Sequence, residues 1–82
     1  MPETVDARAT DDTPEARFAN VFRVGFNASE FVVDAGQQYG DKDQARIHTR
    51  VVTGPWYAVQ LRAVLDESIR EYERRFGPIE ER

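Results

Sequence analysis

The sequence predicts an α+β domain: a three-stranded antiparallel sheet (β-β-β-α) packed against one long C-terminal amphipathic helix and completed by oligomerisation. Three observations predict it. Residues 53–77, TGPWYAVQLRAVLDESIREYERRFG, repeat their apolar positions with the 3.6-residue period of a helix. Before them, three short segments alternate apolar and polar residues with the period of two that marks a half-buried strand. The patterned part of the chain is also small, about 60 to 65 residues, a size at which one core is marginal.

The N-terminal residues 1–16 hold Pro2, Pro14 and several carboxylates, with Val5 the one large aliphatic residue besides Met1. Too little apolar surface is present to offset the entropy of ordering, so the sequence predicts a disordered acidic tail there. Residues 17–79 form the single ββ-β-α domain, and residues 80–82 a disordered end. In the first strand Phe18, Phe22, Val24 and Phe26 alternate with Ala19, Val21, Arg23 and Gly25. Asn27, Ala28 and Ser29 make a turn, and EFVVDA, residues 30–35, returns as the second strand. The polar stretch 36–44, GQQYGDKDQ, is expected as a loop. In the third strand, residues 45–52, alternation sets Ala45, Ile47, Thr49 and Val51 opposite Arg46, His48, Arg50 and Val52.

Helix start and stop are chemically marked. Thr53 can cap with its hydroxyl, Pro55 loses only an N–H without a helical partner, and Gly77-Pro78 ends the run. The core stripe comprises Tyr57, Leu61, Val64, Leu65, Ile69, Tyr72 and Phe76, together with Ala58; Ser68 and Arg75 interrupt it. A helix of this length spans roughly 33 Å, enough to cover one face of a sheet whose strands run about 30 Å. Trp56 lies off the stripe. Either it folds onto the strand-to-helix junction or it anchors a partner, since Trp is enriched at interface hot spots.

The chain has no cysteine and a single histidine, His48, which excludes disulfides and thiol catalysis. No nucleophile, base and orienting group can be assembled, so no enzyme, no catalytic residue, no metal and no cofactor are expected. A formal net charge of −4 argues against a general nucleic-acid binder. No apolar run is long enough for a membrane span or a signal peptide, and the missing cysteines suit a cytoplasmic setting. The candidate polar site is Arg46, His48 and Arg50, joined by Arg23. It reads either as a holder of an anion, an acidic peptide or a nucleic-acid phosphate, or as a charged outer face paired with Asp34.

The order of motifs resembles a small prokaryotic family known only as a domain of unknown function. The resemblance rests on Asn20, Arg23 and Val24; on Glu30, Phe31, Asp34 and Gly36; on Arg50, Val51, Val52 and Pro55; and on Tyr72, Glu73, Phe76 and Gly77. Ala35 stands where the family usually has an aromatic, and TGP replaces its usual [ST]-P pair. The resemblance implies a fold and no activity. A weaker likeness, of architecture alone, is to the export chaperone SecB, whose subunits pair an antiparallel sheet with a long following helix. Together these readings lead to an expected non-enzymatic homo-oligomer, a homodimer or dimer of dimers, acting as a chaperone- or adaptor-like interaction module for an unknown protein partner.

Overall fold

The computed structural model describes residues 15–40 and 44–81. The expected tail, residues 1–16, lies almost wholly outside them, as do residues 41–43 of the loop. Within the described residues the order is β1 (Val21–Phe26), β2 (Phe31–Gln37), β3 (Arg46–Thr53) and α1 (Pro55–Phe76). The strands form one antiparallel sheet in the order β1-β2-β3. The α+β class, its three strands and its C-terminal helix are those the alternating and helical patterns predict.

The β1–β2 turn is built by one side chain. Asn27 Oδ1 accepts hydrogen bonds from the backbone N–H groups of Ser29 (2.8 Å) and Glu30 (3.0 Å), which fixes the reversal. At the other end of this hairpin Asn20 takes the place of a ladder residue. Its Oδ1 accepts from Gln38 N at 2.9 Å while its Nδ2 donates to the Gln38 carbonyl at 3.1 Å. The first strand therefore starts at Val21 rather than Phe18. The second strand runs two residues past the expected end, through Gly36 and Gln37, which the sequence reading assigned to the loop.

A β-bulge governs which side chains share a face. Ala35 pairs with Thr49, but Gly36 pairs with Ile47, so His48 is the extra residue in β3. Before the bulge the alternation holds; beyond it the faces exchange. Ile47 therefore joins Val21 and Gly36 on one face, and Arg46 passes to the other. A simple period of two cannot foresee this exchange.

The helix begins at Pro55 with Gly54 as its cap, and Ala58 N donates to the Gly54 carbonyl at 3.0 Å. Thr53 is the last residue of β3 and makes no side-chain cap, which corrects the expected start. The end is as expected: Gly77 has φ 89° and its N–H returns to the Glu73 carbonyl. Glu71 accepts from Arg74 and from Arg75 in the last turns.

The expected seating of the helix on its own sheet is not found in the single chain. No residue of α1 is buried, and its contact with the strands is slight. Among the described residues no hydrophobic side chain is buried at all. Tyr57, Leu61, Val64, Leu65, Ile69, Tyr72 and Phe76 do form one stripe, yet it covers no core within one copy. One extended residue, Gly54, separates strand from helix.

Candidate interaction surface

The pairing register sorts the sheet into two chemically different faces. On one, Arg23, Asp34 and Arg50 are direct cross-strand neighbours. Asp34 Oδ2 accepts from Arg23 Nε at 3.0 Å and Nη2 at 2.8 Å. Arg50 donates from Nε to Oδ1 at 2.7 Å and from Nη2 to Oδ2 at 3.0 Å. Asp34 is only 3 % exposed, a rare position for a carboxylate, and its two guanidiniums account for it. The hydrogen bonds from Arg50 and then Arg23 hold its carboxyl down at about 2, and Asp34 in turn raises Arg50 above its ordinary value. Above and below this row lie Val21, Gly36 and Ile47, and Gly25, Val32 and Val52.

The structure separates the four residues of the candidate basic site. Arg23 and Arg50 come together, but on Asp34, where they clamp all three strands. Arg46 pairs with Gln37 and lies on the opposite face, because of the bulge. His48 is tied locally: its Nε2 lies 3.0 Å from the Phe18 carbonyl and its Nδ1 2.7 Å from Thr49 Oγ1. With Arg17 Nη1 donating to the His48 carbonyl at 3.4 Å, this bulge residue fastens the chain before β1 across the sheet end. Arg23 and Arg50 thus share Asp34, while Arg46 and His48 stand apart from that pair.

The other face is apolar and open along most of its length, with Gln37 and Arg46 at its bulged end. Phe22 with Ala35, Val24 with Val33 and Val51, and Phe26 with Phe31 fill its successive rows. The rings of Phe26 and Phe31 stack with centroids 5.5 Å apart, yet Phe26 remains 76 % exposed. A shallow open depression at the bulged end is lined by Phe22, Ala35, His48 and Thr49 and by Glu15, Arg17 and Ala19.

The helix stripe is equally open. Leu65 is 56 % and Phe76 70 % exposed, while Tyr72 and Phe76 contact each other with ring centroids 5.0 Å apart. Trp56 is 64 % exposed, so it is not folded away at the junction. Isolated exposed apolar residues are ordinary on soluble proteins; two contiguous apolar faces on one small chain are not. No group of three or more His, Cys, Asp or Glu among the described residues is placed to hold a metal. Nor is any helix among them long and apolar enough to cross a membrane.

Two residues matter here beyond the expected faces: Asn20, a motif residue whose side chain bonds both backbone groups of Gln38, and Gly36, expected in the loop but paired with Ile47 in the ladder. No curated protein and no solved structure matches this chain. A family model described as "Protein of unknown function (DUF3467)" matches residues 1–81. With nearly the whole length matched, the chain belongs to the DUF3467 family.

Proposed function

We propose that the chain is a non-enzymatic, homo-oligomeric protein-interaction module that uses its Phe face and its helix stripe to assemble. The observation that carries this reading is the absence of any buried hydrophobic side chain among the described residues, beside two extensive open apolar faces. Apolar surface left over after assembly would give the oligomer a chaperone- or adaptor-like capacity for extended partner segments.

Thermal melting tests the reading. When folding is coupled to association, the midpoint rises with protein concentration by mass action. A midpoint that climbs between low and high micromolar protein supports assembly as the source of the core. A midpoint that stays fixed, with a cooperative transition, contradicts it.

A further inference from the structure

We infer that, in the oligomer, the helix of each copy lies across the Phe face of its partner's sheet, in a reciprocal exchange; this rests on the homo-oligomer reading above. The strand-to-helix link carries the argument. Thr53 ends β3 and Pro55 opens α1, leaving Gly54 alone between them at φ −83° and ψ 164°. A residue before proline is held in the extended region, and proline fixes its own φ, so the Gly54-Pro55 pair resists the tight reversal that would return the helix over its own sheet. The helix makes only slight contact with the sheet of its own chain, and both apolar surfaces stay open.

Shape and chemistry fit the exchange. The helix, 22 residues, is about 33 Å long and roughly 10 Å wide. Three strands make a face about 14 Å wide, which one helix covers. Only the Phe face is suitable, since the opposite face is occupied by the Arg23–Asp34–Arg50 clamp. Ser68, the polar residue within the stripe, already donates to the Val64 carbonyl at 2.9 Å, so burial leaves no unpaired hydroxyl. A two-fold exchange repeats the same contact twice and closes, so copies do not propagate into an open chain.

Cysteine cross-linking tests this cleanly because the chain has no cysteine of its own. Chains carrying Val24→Cys or Val51→Cys on the sheet are refolded together with tagged chains carrying Leu61→Cys or Leu65→Cys on the helix, then oxidised. Ser29→Cys in the turn replaces the sheet cysteine as a control. The exchange predicts mixed disulfide dimers in at least one sheet–helix pairing, at a yield about tenfold above the control, since apposed thiols have an effective concentration near millimolar. Sedimentation of the same samples before oxidation keeps the two ideas apart. Three outcomes overturn the exchange while leaving the oligomer: helix–helix disulfides only, sheet–sheet disulfides only, or no disulfide above control in any pairing. A disulfide forming within single chains that carry both substitutions, at high dilution, overturns it as well. Sedimentation as a folded monomer removes the homo-oligomer reading itself.

Discussion

Gly36 lies so close to Arg46 across the β2–β3 ladder that a Cβ on it would fall onto the Arg46 carbonyl oxygen. The same added atom would stand 2.9 Å from Ile47 Cα. The bulge brings the β3 backbone in at this point, and only a residue without a side chain can face it. Gly36→Ala must push two strands apart or dissolve the bulge, which transposes Ile47 and Arg46 between faces. We expect a loss of about 3 kcal/mol, the upper part of the usual range for overpacking, measured by urea denaturation. Gly25→Ala, where nothing lies within 4 Å of the added atom, is the contrasting control.

Asp34 makes the fold acid-sensitive in a defined window. Its carboxyl is held at about 2 in the folded chain, against about 3.9 when unfolded. A depressed carboxyl contributes stability above its unfolded value and loses it as the pH falls towards the folded one. Melting temperature should therefore drop between about pH 4 and pH 2. Asp34→Asn should melt lower at neutral pH and show a flatter decline in this window. An unchanged acid limb in the variant would show that other carboxylates carry it.

Two arginines that sequence alternation groups together should behave differently. Arg50 donates twice to Asp34, so Arg50→Ala lowers the melting temperature and raises the Asp34 carboxyl. Arg46 is exposed on the other face, and Arg46→Ala should change stability by no more than about 0.5 kcal/mol. Chemical-shift titration of the Asp34 side chain by NMR, with both melting curves, distinguishes the two. Equal effects would return Arg46 and Arg50 to one row.

The helix stripe should respond to truncation only through assembly. Leu61 and Leu65 are half-exposed in one copy, so Leu→Ala in an isolated chain removes little buried area. Once covered by a partner, the same truncation costs about 2–5 kcal/mol per copy. Leu61→Ala and Leu65→Ala should therefore shift the association equilibrium and the concentration-dependent melting midpoint. Variants that melt like the parent at every concentration would mean that the stripe stays bare.

The sequence made the elements legible because each rests on local chemistry. The Pro55 start, the Gly77-Pro78 stop and the period of residues 57–76 are readable without tertiary contacts. So is the Asn27 turn, whose side chain bonds two residues nearby. The arrangement of the polar site was not legible, because it depends on one extra residue. His48 inserts between Ile47 and Thr49, and that insertion moves Arg46 away from Arg50. Nor could periodicity reveal the open faces, since an apolar stripe states only that something covers it, and not which chain supplies the cover.

Sedimentation equilibrium at micromolar concentration tests the central claim most directly. A chain of 9.4 kDa whose apolar faces are closed by a second copy should sediment at twice that mass, or at a higher even multiple. Dilution should dissociate it with loss of helical signal, because the helix has no core of its own to rest on. A folded, stable species of one chain mass throughout the range would contradict the account.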